Sequence, residues 1–112
     1  MKYRIVLVPF PFDDLSSSKV RPAVSLTDEI GPHQHVILAF ITSRIPHEVL
    51  DTDLVVNLDD PGFAITGLKI TSTIRLHRLI TISSRAIQFE LGDLAGSHQS
   101  LVEDKLRGLF QL

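Results

Sequence analysis

Residues 69–77 carry the strictest pattern in the chain. Ile70, Ser72, Ile74 and Leu76 fall at one parity, and Lys69, Thr71, Thr73, Arg75 and His77 at the other. A helix would mix these two sets around its surface, whereas a strand keeps them on opposite faces. The stretch therefore reads as a half-buried strand with one apolar and one cationic face. Arg78 breaks the parity, so a bend is expected there, with residues 79–82 continuing the strand.

Other segments extend the same reading. Residues 5–10 form a short run rich in β-branched side chains, a strand covered on both faces, which Pro9 and Pro11 end or kink because proline donates nothing to a ladder. Residues 13–18 are small and polar, a loop. In residues 20–27, Val20, Pro22, Val24 and Leu26 face one way and Arg21, Ala23, Ser25 and Thr27 the other. Pro22 marks an edge or a gap in the ladder. Residues 35–43 are the most apolar run and are placed centrally, and residues 53–58 form a further strand closed by an Asp-Asp-Pro-Gly turn. Residues 83–92 fit either a strand or a short helix capped by Ser84. Residues 97–110 form a helix, with Ser97 as N-cap and Leu101, Val102, Leu106, Leu109 and Phe110 as its apolar stripe. Many short strands followed by one helix predict a mainly β fold: a small, curled antiparallel barrel with a C-terminal helix docked on it.

The 112 residues fit one domain over 1–112. With no cysteine, disulfides and thiolate metal sites are excluded. No apolar run approaches the ~20 residues that span a bilayer, and no signal peptide is readable, so a cytoplasmic setting is expected. The net charge of −2 hides a local asymmetry. Asp51, Asp53, Asp59 and Asp60 cluster ahead of Lys69, Arg75, Arg78 and Arg85. A basic strip on a near-neutral protein still guides a polyanion, since the local field matters more than the total. His33 and His35 are too few to hold a metal, and His47 and His98 read as surface residues.

Two segments and the stretch between them carry a resemblance. The first is Ile-Val-Leu-Val-Pro-Phe-Pro-Phe from Ile5, running on through Leu-Ser-Ser-Ser-Lys-Val-Arg-Pro-Ala-Val-Ser-Leu, from Leu15 to Leu26. The second is Gly-Leu-Lys-Ile-Thr-Ser-Thr-Ile-Arg-Leu-His-Arg-Leu from Gly67, and between them stands Ala-Phe-Ile-Thr-Ser-Arg ending at Arg44. In order and spacing these resemble the MazF/PemK toxins of bacterial toxin–antitoxin pairs, and the Lys-x-Arg-Pro-Ala element is the most specific part. The resemblance implies an SH3-like barrel, a homodimer, a cognate antitoxin whose tail occupies the RNA groove, and endoribonuclease activity on single-stranded RNA, without a cofactor. It departs from the family at Tyr3-Arg4, where Gly-Asp is usual, and at His77, where plasmid-encoded relatives have an aspartate.

The resemblance also assigns roles. RNA supplies its own nucleophile, the 2′-OH beside each phosphodiester, so an enzyme has to align it, move protons and stabilise charge on phosphorus. The motif arginine of the family is catalytic and matches Arg21, whose guanidinium can bind two phosphate oxygens. The other reading of Arg21 is a surface pair with Asp13, Asp14 or Glu29. Thr42 matches a functional threonine; its other reading is a strand-end hydroxyl bonded to local backbone. Arg75 and His77 complete the catalytic set, with His77 as acid or base because its ordinary pKa lies near ~6.5. An exposed strand histidine is the bland alternative. The RNA-contacting set is Ser18, Lys19, Ser43, Lys69 and Thr73. Phe10 or Phe12 is a candidate for base stacking, with core packing as the other reading. Two rival functions share the expected fold: a gyrase-poisoning toxin that cuts nothing, and an inactive binding relative.

Overall fold

The computed structural model of the protein describes residues 1–9 and 19–112. Ser18, the rest of the serine-rich loop, Phe10 and Phe12 lie outside the described residues. The strands are β1 (Arg4–Pro9), β2 (Val20–Ser25), β3 (His35–Thr42), β4 (Asp53–Val56), β5 (Ser72–Ser83) and β6 (Phe89–Asp93), followed by the helix α1 (Gly96–Phe110). They form one curled antiparallel sheet in the order β4-β5-β3-β2-β1-β6. The mainly β barrel-like sheet with a C-terminal helix expected from the sequence is thus the observed fold.

Alternation decides what each face buries. Ile5, Val24, Ala39, Ile41, Ile74 and Leu76 point to one side, where they meet Leu54, Phe63, Leu94 and Val102 of α1. Val6, Val8, Ala23, Val36 and Leu38 point to the other and pack with Ile80, Ile82 and Ile87. Both faces of the central strands are therefore covered, which explains why residues 35–43 read as a nearly unbroken apolar run rather than an alternating one. Pro22 sits in an interior strand, not an edge. It pairs with Leu7 of β1, and the β2–β3 ladder begins only at Ala23, so the gap predicted at the proline is real.

β5 is a single strand from Ser72 to Ser83, beginning three residues later than expected and ending one residue later. Its register against β3 jumps from Phe40↔Arg75 to Ala39↔Leu79. Leu76, His77 and Arg78 make up the resulting bulge, at the place where the parity of the sequence breaks. Lys69 and Ile70 precede the strand and are exposed. The ambiguous stretch resolves into a 3-10 turn over Ser84–Ala86, capped by Ser83 rather than Ser84, and then β6.

A second 3-10 turn, Ala64–Thr66, carries the chain from the β4 edge to β6 at the far edge of the sheet. Two glycines make that closure possible. A Cβ at Gly92 would collide with the Ile65 carbonyl, and one at Gly67, whose φ is +72°, with the Leu91 carbonyl.

α1 starts one residue earlier than predicted. Its N-cap is Ala95 and makes no side-chain bond, so Ser97 lies within the first turn instead of capping it. The buried stripe runs through His98, Val102 and Leu106, while Leu101 and Phe110 are exposed. His98, expected at the surface, is buried: its Nε2 lies 3.0 Å from Asp60 Oδ2, which also accepts the Asn57 N–H. The i, i+4 spacing of His98 to Val102 was the available sign.

Tyr3 stands where the resembled family has glycine, and it adopts a glycine-like φ of +69°. Its ring is buried, and its hydroxyl donates to Glu103 Oε2 at 2.7 Å, tying the start of β1 to α1. Burial, then the bond to Glu103 and that carboxylate's charge, push the Tyr3 hydroxyl up to about 12. Next to it, Arg4 pairs with Asp93 across the β1–β6 ladder.

Candidate RNA-binding groove

Two ladders set the site. β2 and β3 pair as Ala23↔Phe40, Val24↔Ala39 and Ser25↔Leu38. Arg21 stands two residues before Ala23 in β2, and Thr42 two residues after Phe40 in β3, so by alternation both belong to the face that holds Ala23 and Phe40. β3 and β5 pair as Phe40↔Arg75 and Thr42↔Thr73, which brings Arg75 to the same face. Arg21, Thr42 and Arg75 line one open groove of about 900 Å³ at this end of the sheet.

Ser43 and Lys69 line the same groove, as do Arg44 and Arg78. Five cationic side chains thus surround it, and among the described residues no aspartate or glutamate lines it. A concave surface with cations of one sign focuses the field onto an anionic ligand. The acidic cluster of the sequence lies elsewhere, apart from one member. Asp53 is Arg75's cross-strand partner, with a side chain wholly removed from solvent. Its Oδ1 accepts from Arg75 Nε at 2.9 Å and its Oδ2 accepts the Leu50 N–H at 2.9 Å. A desolvated carboxylate is tolerated only with such partners, so the bond fixes Arg75 by its Nε. The terminal nitrogens are then the ones that meet a ligand.

Thr42 accepts the Arg44 N–H at 3.1 Å, the local backbone bond foreseen as its alternative reading. As acceptor in that bond it keeps its own proton as a donor.

Three expected members stand apart. Thr73 is buried and does not line the groove, because its strand partners Thr42 and Val55 flank it in the ladders. Lys19 is exposed just before β2 and is also outside the lining. His77 is exposed, and its Nδ1 lies 3.3 Å from Thr52 Oγ1. Arg75 and Arg78 on either side of it line the groove and His77 does not. The two-residue spacing that paired Arg75 with His77 assumes an unbroken strand, and the bulge over residues 76–78 interrupts it. Sequence reasoning missed Asp53 as the holder of Arg75, and Arg44 and Arg78 as groove cations. The parity break at Arg78 was the one signal present.

Comparison with known proteins bears on the fold and the family. A search of curated proteins gave no significant match. Among solved structures, the Mycobacterium tuberculosis toxin MazF-mt6 is similar, with a TM-score of 0.73 at 24% identity over 97% of both chains. MazF from Deinococcus radiodurans superposes with a TM-score of 0.72 at 15% identity, over 99% of this chain and 96% of that one. An endroribonuclease from a mycobacterial species, solved in complex with its cognate antitoxin, gives 0.72 at 11% identity over 100% and 95%. These likenesses show the fold. The profile of the family described as PemK-like, MazF-like toxin of type II toxin–antitoxin system matches residues 1–110. The chain therefore belongs to the PemK/MazF-like toxin family of type II toxin–antitoxin systems.

Proposed function

We propose that this protein is an endoribonuclease toxin that cuts single-stranded RNA in the cationic groove. The observation that carries the reading is the convergence of Arg21, Thr42 and Arg75, from three strands, on one groove that also carries Arg44, Lys69 and Arg78 and, among the described residues, no carboxylate in its lining. Arg21 and Arg75 hold the scissile phosphate and offset the charge that builds on its oxygens, and Thr42 donates a hydrogen bond to it. The neighbouring 2′-OH attacks phosphorus in line and gives its proton to water, the bond from phosphorus to the 5′ oxygen breaks and that oxygen takes a proton from water, so the products are a 2′,3′-cyclic phosphate and a 5′-OH with no net change in protons. The nucleophile belongs to the substrate, so the reaction has no step that calls for a metal. Ser43, Lys69 and Arg44 bind flanking phosphates. His77 is left out of proton transfer on the ground of its position.

Sequence selectivity, action on cytoplasmic messenger RNA and the resulting block of translation follow from this reading. So does neutralisation by a cognate antitoxin, with which one structural relative was solved. An acidic, partly disordered antitoxin tail suits a groove of this charge. The working form is a homodimer.

The test is incubation with a long single-stranded RNA in excess EDTA. Cleavage is expected to persist, to leave cyclic phosphate ends, to fall at least about a hundredfold in Arg21→Ala and to spare DNA of the same sequence. Intact RNA together with inhibited gyrase supercoiling overturns the nuclease in favour of the gyrase-poisoning alternative.

A further inference from the structure

The bulge in β5 has a chemical result. An unbroken strand would present His77 two positions after Arg75; instead Arg78 lines the groove. Bulges are the device by which a sheet re-aims one side chain beside a site. The re-aimed guanidinium carbon stands 5.2 Å from the centre of the Phe40 ring. Phe40, itself in the groove lining and paired in register with Arg75, is only 5% exposed, whereas Arg78 is exposed. Arg78 therefore covers the ring on one side and meets the groove on the other.

From this arrangement we infer that Arg78, backed by Phe40, is a nucleobase-stacking subsite of the groove, next to the phosphate held by Arg75. A guanidinium plane is a π surface as well as a cation, and single-stranded RNA is commonly read by stacking its unpaired bases on aromatic rings or arginine planes. Lysine cannot do this, having a compact charge and no plane. Contact with Phe40 restrains the arginine before the base arrives, so less freedom is lost on binding. The subsite takes the base of a nucleotide adjacent to the scissile phosphate, and it adds a base contact to a groove otherwise built for phosphates.

The inference rests on the groove being the RNA site, and the test separates the two. KM and kcat are measured on a short single-stranded RNA that contains the mapped cleavage site, for the wild type, Arg78→Ala and Arg78→Lys. The same RNA is then scanned with an abasic nucleotide at each position near the cut. Arg78→Ala is expected to raise KM about tenfold with kcat within about threefold, in line with the loss of one stacked base. Arg78→Lys is expected to recover only part of that loss. One abasic position should weaken the wild type about tenfold and leave Arg78→Ala no weaker than it already is. Wild-type kinetics in Arg78→Ala, full rescue by Arg78→Lys, or equal abasic penalties in wild type and Arg78→Ala overturn the subsite while leaving the nuclease intact. Wild-type protein that neither binds nor cuts the RNA overturns both.

Discussion

Asp53 and Arg75 face each other across the β4–β5 ladder, and the carboxylate, with no solvent exposure of its own, holds the arginine by Nε at 2.9 Å. The pair links the fold to the chemistry, since the same bond that satisfies a buried charge also aims a groove cation. Removing Asp53 by substitution with alanine leaves the Leu50 N–H and Arg75 without their partner. It is expected to cost about 3 kcal/mol, the low end for breaking a buried pair, because Arg75 retains some access to water. Asp53→Asn keeps an acceptor and should cost less. Urea unfolding of both variants measures this. If the carboxylate orients Arg75, RNA cleavage by the folded Asp53→Asn protein falls at least about tenfold. Unchanged cleavage would reduce Asp53 to a structural role.

Arg21 and Thr42 reach the same groove from neighbouring strands. Arg21→Ala is expected to lower kcat/KM about 10²–10³-fold, the usual loss for one charge-stabilising donor. Arg21→Lys should recover little, because a single ammonium does not reproduce the two-point contact. Thr42→Ala should cost about tenfold, the worth of one hydrogen bond to a charged group. Single-turnover cleavage assays on these variants decide the matter, and thermal melts close to wild type would show that the folds survive.

His77 engages Thr52 and stays outside the groove lining. His77→Gln is therefore expected to cleave RNA within about threefold of the wild-type rate. The pH–rate profile should lack any inflection that disappears in the variant. Such an inflection, abolished by the substitution, would return His77 to the mechanism as its acid or base.

The five groove cations imply a salt-dependent affinity. Each contact with a single strand contributes a slope of about −0.7 in log K against log salt concentration. Arg44→Ala and Lys69→Ala should each flatten the slope by about that amount and weaken binding across sequences alike. A slope unchanged in both, measured by fluorescence anisotropy with an uncleavable single strand, would show that these side chains do not meet phosphate.

Tyr3 gives the fold an alkaline limit. Its hydroxyl, buried and bonded to Glu103, is pushed up from 10.0 to about 12. A group with a raised folded pKa contributes stability that is complete below its unfolded value and is lost as pH rises through the folded one. Stability from this source should hold up to about pH 10 and decline between there and pH 12. Tyr3→Phe should lose about 1 kcal/mol at neutral pH, where its effect is a missing hydrogen bond. Its melting temperature should then depend less on pH in that window than the wild type does. Parallel slopes for both proteins would rule out Tyr3 as the source.

Local pattern was enough to read the elements and their faces. Alternation in residues 69–77, the apolar run at residues 35–43 and the helical periodicity at the C-terminus are local, because strand and helix impose fixed periods of their own. The motif around Arg21 likewise needed no tertiary information to suggest its chemistry, and the parity break at Arg78 announced an irregularity, though not its use. Which side chains meet depends instead on long-range packing. Pairing β4 with β5 put Asp53 under Arg75, curling the sheet turned His98 inward against Asp60, and the register jump against β3 gave the groove Arg78 in place of His77. Strand order and register are set by the sum of many packing contacts between distant segments. No single stretch of chain encodes them, so local pattern announced an irregularity at Arg78 without fixing which side chain the three-residue bulge turns to the groove.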